Sequence, residues 1–240
     1  MSGGRYGRNR MFLKVLSWLG FLFGVSWSGH WPLAQMSSLE QQKLIQSAIL
    51  STQSDQSLVS QLRARALSRQ IHKAGRCFQI DPFVFTALVW RESNFRQQSK
   101  SPTGAVGLTQ LTRPGILEVM DQLAQFSPRK SELIRQQMHS CYPMILSSIP
   151  KYSNAVDVLG WKKRVLESQE LSLVFGAVLL KTYFKGNYLK ALERYNGEPE
   201  IKFQFAREVM ALSSWISSSF RVIPETGLEN SKFLASIQDL

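Results

Sequence analysis

The sequence has few of the residues from which metal and redox sites are built. Its 240 residues include two cysteines and three histidines, and no CxxC pair or HExxH motif occurs. The histidines, His30, His72 and His139, are widely separated. Zinc sites usually need ligands with close, regular spacing. We therefore expect no metal site, and the sequence indicates no other cofactor.

The two cysteines, Cys77 and Cys141, leave a choice open. In an oxidising compartment they could form one disulfide, which would stabilise the fold by roughly 3–5 kcal/mol on the chain-entropy model. Two buried free thiols are the alternative. The positions of the cysteines in the sequence do not decide between the two.

Acidic residues and long apolar runs are both missing from the start of the chain. No acidic residue occurs before Glu40. The apolar run from Val15 to Val25 is about half the roughly 20 residues that a helix needs to span a bilayer. Four basic residues precede this run, namely Arg5, Arg8, Arg10 and Lys14. This pattern is typical of a secretory signal peptide. We therefore predict a signal peptide over residues 1–34, with its cleavage position open and an uncleaved membrane anchor as the alternative.

Positive charge predominates in the chain as a whole. The formal net charge is +12 and the pI is near 10.0. Loss of residues 1–34 would remove four basic residues and no acidic one, which leaves +8. Such a charge favours anionic partners, among them nucleic acid, acidic lipids and anionic cell-wall polymers. Export argues against nucleic acid. The sequence therefore predicts an exported protein, with membrane contact only through an uncleaved signal segment.

No segment shows the alternation of apolar and polar residues that marks a strand, so the sequence predicts an all-α fold. Apolar residues recur with helical spacing from Leu58 to Ala74, and Gly75 is expected to end that helix. Asp81 and Pro82 suit the start of a helix that is apolar on nearly all sides and should be buried. Further helices are predicted after Pro114, from Ser168, from Asn187 and over Phe203–Phe220. Between them, residues 127–169 are polar and basic and predict only short helical patches. Gly176 predicts a close approach between two helices.

Glu92 is the unusual residue of the apolar helix. Phe85, Leu88 and Val89 precede it on its own face. A carboxyl at the end of an apolar stripe loses water, which favours its protonated form. A glutamate in that environment can act as a general acid near neutral pH. The alternative is a structural glutamate paired with Arg91 or Arg96.

Two blocks of the sequence carry motifs in a fixed order. Phe78–Gln110 reads FQIDPFVFTALVWRESNFRQQSKSPTGAVGLTQ, and Leu171–Pro199 reads LSLVFGAVLLKTYFKGNYLKALERYNGEP. The first contains a buried helix ending in Glu-Ser, a Ser-Pro-x-Gly turn and a Gly-Leu-x-Gln run. The second contains a buried helix, a Gly-Asn turn and a Tyr-Asn pair. Together they resemble the soluble lytic transglycosylase family of the goose-type lysozyme-like superfamily.

The resemblance implies a lysozyme-like helical domain with an N-terminal helical extension and a long central insertion. The expected organisation is a helical layer over residues 35–70, a catalytic domain over 71–220 and a tail over 221–240. Glu92 corresponds to the sole catalytic acid/base of the family, and Tyr195 to the tyrosine that positions its carboxyl. Residues that support the site or bind substrate correspond to Ser93, Ser101, Gln110 and Asn196. Ser101 has a plain alternative as a turn residue before a proline.

The sequence departs from the family pattern at several positions. Thr109 and Thr112 stand where methionines are usual, Arg194 replaces a small residue, and Gly197-Glu198 replaces Ala-Gly. These changes leave Glu92 and Tyr195 in place but alter the expected glycan contacts.

The resemblance implies a peptidoglycan lytic transglycosylase, which needs one acid and forms 1,6-anhydro-N-acetylmuramic acid. It also implies a location in the periplasm or cell envelope of a bacterium. Most glycosidases need two carboxylates, and the sequence offers no clear second one near Glu92. Asp81, at the far end of the same helix, should be roughly 16 Å away. Two alternatives stay open: a hydrolytic muramidase, and a non-catalytic peptidoglycan-binding scaffold of a cell-envelope assembly with protein partners there.

Overall fold

The computed structural model describes residues 36–55, 57–152, 154 and 156–219. The predicted signal peptide over 1–34 and the predicted tail over 221–240 lie outside them. The described residues form ten α-helices and, apart from two isolated bridges, no β-structure, which confirms the all-α prediction. The helices are α1 (Ser38–Ser51), α2 (Leu58–Cys77), α3 (Pro82–Ser93), α4 (Arg113–Leu123), α5 (Glu132–Cys141), α6 (Pro143–Ser147), α7 (Val158–Glu167), α8 (Gln169–Tyr183), α9 (Tyr188–Asn196) and α10 (Lys202–Ser219).

Side-chain caps begin the helices where the sequence predicts them. The Asp81 carboxylate accepts hydrogen bonds from the N–H groups of Phe83 (2.8 Å) and Val84 (3.4 Å), and Pro82 occupies the first turn of α3. Ser168 caps α8 and Asn187 caps α9 in the same way. These caps satisfy N–H groups that a helix leaves without a partner.

The predicted end of α2 at Gly75 is wrong, because the helix continues to Cys77. A Cβ atom at Gly75 would lie 3.2 Å from the Cα atom of Pro82. The glycine therefore allows the last turn of α2 to approach the first turn of α3, and a close contact explains it better than a helix end does.

Two helices supply much of the core. In α3 every residue from Phe83 to Val89 is buried, and in α8 every residue from Leu171 to Leu180 is buried. Helix α3 packs against α1, α2 and α10, while α8 packs against α2, α4, α7 and α9. Burial on all sides follows from sequences that are apolar around the whole helix. Glu92 thus lies at the end of one of the most buried helices.

The N-terminal layer is continuous with the rest of the fold. Helix α1 packs on α2 and also contacts α3 and α10, and the described residues from Ser37 onward belong to one compact unit. Helix α2 crosses residue 70, which is the predicted boundary between the N-terminal layer and the catalytic domain. That division stays a prediction.

The segment predicted as a central insertion, residues 113–170, contains the predicted α4 and also α5, α6 and α7, which lie where only short helical patches are predicted. Helix α2 anchors it at several points. Cys77 forms a disulfide with Cys141, which decides between the two alternatives for the cysteines. Lys73 lies 4.3 Å above the ring of Tyr142 and pairs with Glu170 at 3.4 Å. The insertion is therefore fixed to the helix that precedes α3.

Candidate active site

The chain changes direction directly after α3. Asn94 and Phe95 both adopt left-handed backbone conformations, with φ of 50° and 58°, which is uncommon for non-glycine residues. The Phe95 side chain is buried and packs on Trp90, with ring centroids 5.7 Å apart. This contact holds the turn, so that the end of α3 lies beside the loop that follows.

Residues 101–107 form the predicted turn. Gly104 and Gly107 have φ of 82° and 80°, a region that glycine enters without strain. The Ser101 N–H donates to the Ala105 carbonyl, and the Ser101 hydroxyl accepts from the Ala105 N–H, both at 3.0 Å. These hydrogen bonds are those of a turn residue. A contact between Ser101 and glycan stays a prediction.

Gln110 follows this turn with a left-handed φ of 45°. Its side-chain Nε2 donates to the carbonyl oxygens of Ser99 (3.2 Å) and Gly107 (2.9 Å). The amide nitrogen is therefore committed to the turn, and the side-chain oxygen is the atom that can accept a hydrogen bond from a sugar. The predicted glycan contact of Gln110 is compatible with this orientation.

Thr109 attaches the turn to α8. It is fully buried, and its hydroxyl donates to the Ser172 carbonyl at 2.8 Å. A Cβ atom on Gly176 would lie 2.5 Å from the Thr109 Cγ2 atom. Gly176 therefore admits a loop side chain, and the predicted approach of a second helix at this glycine is wrong. Thr109, a departure from the family pattern, lies in the core and not on a glycan-binding surface.

Ser93 is buried, and its hydroxyl donates to the Val89 carbonyl of its own helix at 3.0 Å. The Ser93 carbonyl accepts from the Arg96 N–H at 3.0 Å. These hydrogen bonds hold the end of α3, in agreement with the supporting role that the resemblance implies for a Glu-Ser pair. A substrate contact of Ser93 stays a prediction.

Tyr195 and Asn196 end α9. The Tyr195 hydroxyl donates to the Thr109 carbonyl at 2.8 Å, so it holds the turn and forms no hydrogen bond with Glu92. Burial raises the pKa of Tyr195 well above its usual value, and the charge of Glu92 raises it further. The two side chains therefore interact electrostatically. The Asn196 side-chain oxygen accepts from the Glu198 N–H at 3.2 Å, and its predicted substrate contact stays a prediction.

Glu92 is half-buried at the last turn of α3. No hydrogen bond or salt bridge to its carboxyl occurs within the described residues, including the pairing with Arg91 or Arg96 that the structural alternative would need. Desolvation raises the pKa of Glu92 to about 8, against the opposing effect of Arg91. Arg91 itself pairs with Glu208 of α10 at 2.6 Å. Glu92 is therefore mainly protonated at neutral pH.

Glu198 is a residue of this site whose effect on Glu92 was not predicted from the sequence. The sequence shows it only as a replacement for glycine after the Tyr-Asn pair. In the structure its negative charge acts on Glu92 and adds to the rise in the pKa of that carboxyl. The Glu198 backbone is held by Asn196 and by the Lys202 N–H, which donates to the Glu198 carbonyl at 3.0 Å. The sequence feature that could have indicated this effect is the replacement of a glycine of the family motif by the acidic Glu198.

A family model also matches the segment that carries Glu92. Residues 69–134 match the family model of the transglycosylase SLT domain. The resemblance to soluble lytic transglycosylases is thus confirmed over this segment, here called the SLT segment, and the all-α architecture agrees with it. The SLT segment contains Glu92, Ser93, Ser101 and Gln110, whereas Tyr195 and Asn196 lie beyond it. Searches of the curated proteins and of the solved structures gave no match.

The described part of the chain was also searched for metal sites and membrane-spanning helices. No three His, Cys, Asp or Glu side chains there come together as a metal site would require. Within the same residues, no helix has the length and apolar character to cross a bilayer. The SLT segment, which contains Glu92, is the feature that indicates a function.

Proposed function

We propose that the protein is an exported lytic transglycosylase that cleaves the β-1,4 bond between N-acetylmuramic acid and N-acetylglucosamine in peptidoglycan. The proposal depends chiefly on Glu92, which lies in the SLT segment and has a pKa of about 8. A carboxyl that keeps its proton at neutral pH can donate it to the oxygen of a leaving group.

The reaction needs one residue in two roles. Protonated Glu92 donates its proton to the bridging oxygen, and the bond from that oxygen to C1 of the muramic acid breaks. The Glu92 carboxylate then takes the proton from the C6 hydroxyl of the same sugar. The C6 oxygen forms a bond to C1, which closes the 1,6-anhydro ring. Glu92 regains its proton, and no water is consumed.

Neighbouring residues support these roles. Tyr195 holds the Thr109 carbonyl and, through it, the turn that carries Gln110. The Gln110 side-chain oxygen can then accept a hydrogen bond from a sugar hydroxyl. The net positive charge of the chain favours the anionic peptides of the wall.

A hydrolytic muramidase is the second candidate, and Glu198 is the observation that favours it. Hydrolysis requires a carboxylate that activates water or stabilises positive charge at C1. Glu198 is a carboxylate whose charge acts on Glu92. The two reactions differ in their products, because hydrolysis leaves reducing ends and transglycosylation leaves anhydro ends.

Digestion of purified peptidoglycan sacculi tests the proposal. The muropeptides released by the unmodified protein are compared, by mass spectrometry, with those released by Glu92→Gln. Glu200→Gln, which removes an exposed carboxylate near α10, is the matched control. We expect anhydro-muropeptides, about 18 Da lighter than their hydrolytic counterparts, from the unmodified protein and the control but not from Glu92→Gln.

Other results would replace the proposal. Reducing-end products would identify a hydrolase, and their loss in Glu198→Gln would assign the second carboxylate. Binding to sacculi without any cleavage would identify a scaffold.

A further inference from the structure

A cavity of about 450 Å³ lies in the central insertion. Its wall is formed by the end of α4, by α5 and by residues 143–151, and it includes no residue of the candidate active site. Leu123, Leu146 and Ile149 make part of the wall apolar. The volume is within the range of sites that bind small organic molecules.

The charged residues of this wall, Arg135 and Lys151, are both basic. His139 also lines the cavity, and none of its described lining residues is acidic. None of the three forms a salt bridge within the described residues. A group of basic side chains without acidic partners favours an anionic ligand, because charge-assisted hydrogen bonds are stronger than neutral ones.

The cavity is held in place before any ligand binds. Arg135 donates a hydrogen bond from Nη1 to the Leu123 carbonyl, and the Phe126 N–H donates to the Lys151 carbonyl at 3.0 Å. Cys141, at the end of α5, is bonded to Cys77 of α2. A rigid cavity loses less conformational entropy on binding than a flexible surface would.

We propose that this cavity binds the carboxylate end of a short peptide that bears an apolar side chain. The carboxylate would meet Arg135, His139 and Lys151, and the side chain would cover the leucine and isoleucine surface. An inorganic anion would leave that apolar surface unfilled, and an uncharged ligand would form no charge-assisted hydrogen bond with Arg135 or Lys151. Stem peptides of peptidoglycan have this chemistry, and their choice as the source rests on the proposed function.

Calorimetric titration of the unmodified protein with N-acetyl-D-alanyl-D-alanine tests this inference. We expect saturable binding of this peptide and at least tenfold weaker binding of its C-terminal amide, since the amide lacks the charge. Lys151→Gln should weaken binding of the acid about tenfold. Lys130→Gln, which removes an exposed lysine of the same insertion that does not line the cavity, should leave it unchanged.

Three results would overturn the inference: no saturable binding of the acid, equal binding of acid and amide, or equal losses in Lys151→Gln and Lys130→Gln. The titration needs no cleavage of glycan, so it is independent of the sacculus digestion. Cleavage without peptide binding would contradict this inference alone. Peptide binding without cleavage would contradict the proposed function and support the carboxylate site.

Discussion

Burial and two neighbouring charges set the pKa of Glu92. Desolvation is the largest cause and raises it, Arg91 lowers it and Glu198 raises it, and together they give a pKa of about 8. A general acid acts in its protonated form, so activity should be retained below the pKa and lost as the pH rises through about 8. The alkaline limb of the pH profile of kcat/KM therefore reports this carboxyl.

Removal of either charge should move that limb in a known direction. Glu198→Gln removes a negative charge, so the pKa of Glu92 should fall and the limb should shift to lower pH. Arg91→Gln should shift it to higher pH. Each shift should be about half a pH unit, as for one charge in a partly solvated site. Profiles of kcat/KM on soluble glycan fragments measure this.

Two controls accompany these variants. Glu200→Gln should leave the profile unchanged. Glu208→Gln removes the ion-pair partner of Arg91 but keeps the positive charge of Arg91 itself. Shifts of the same sign in Glu198→Gln and Arg91→Gln would contradict the electrostatic explanation.

At the scale of the elements, α8 supports the turn that carries Gln110. Gly176 lies under Thr109, and Ser172 accepts its hydroxyl. Gly176→Ala would place a methyl group 2.5 Å from Thr109. The cost of this steric clash should exceed the gain in helix propensity from alanine. We expect a loss of about 1–3 kcal/mol in unfolding free energy, measured by urea denaturation, together with reduced kcat/KM.

Gly115→Ala in α4 is the matched control. Its new Cβ atom would meet the flexible end of Leu179 at 3.2 Å, so the neighbour can move and the loss should be smaller. Gly176→Ala/Thr109→Gly should be less destabilised than the sum of its single variants, because the two sites are in contact. Full additivity would show that the clash is not the cause.

At the scale of the whole molecule, the Cys77–Cys141 disulfide joins the end of α2 to the end of α5 across 64 residues. On the chain-entropy model, a loop of that length stabilises the folded state by about 4 kcal/mol. We expect Cys77→Ser/Cys141→Ser to lower the free energy of unfolding by about 2–4 kcal/mol in chemical denaturation.

Reduction of the unmodified protein should lower its stability to that of the double variant, and the same reductant should not affect the double variant. Equal stability of the oxidised and reduced protein would contradict a constraint by this bond. Peptide binding in the insertion cavity should also weaken on reduction, because Cys141 ends the helix that carries Arg135 and His139.

The sequence predicted the parts of the site that depend on near neighbours. The apolar residues three, four and seven positions before Glu92 lie on its own helix face, so its desolvation could be anticipated. The caps at Asp81, Ser168 and Asn187 are likewise short-range hydrogen bonds. The end of α2 was misplaced because the function of Gly75 depends on Pro82, in the next helix.

The sequence by itself determined the helical class and the starts of α3, α8 and α9, and it singled out Glu92 as the candidate acid, because helical periodicity and capping involve residues within a few positions of each other. Only the tertiary structure decided which partners those residues meet. It directed the Tyr195 hydroxyl to Thr109, 86 positions away, matched Gly176 with a loop and not a helix, and brought the charge of Glu198 to bear on Glu92. Contacts over such separations depend on how the helices pack, and no local pattern in the chain specifies them.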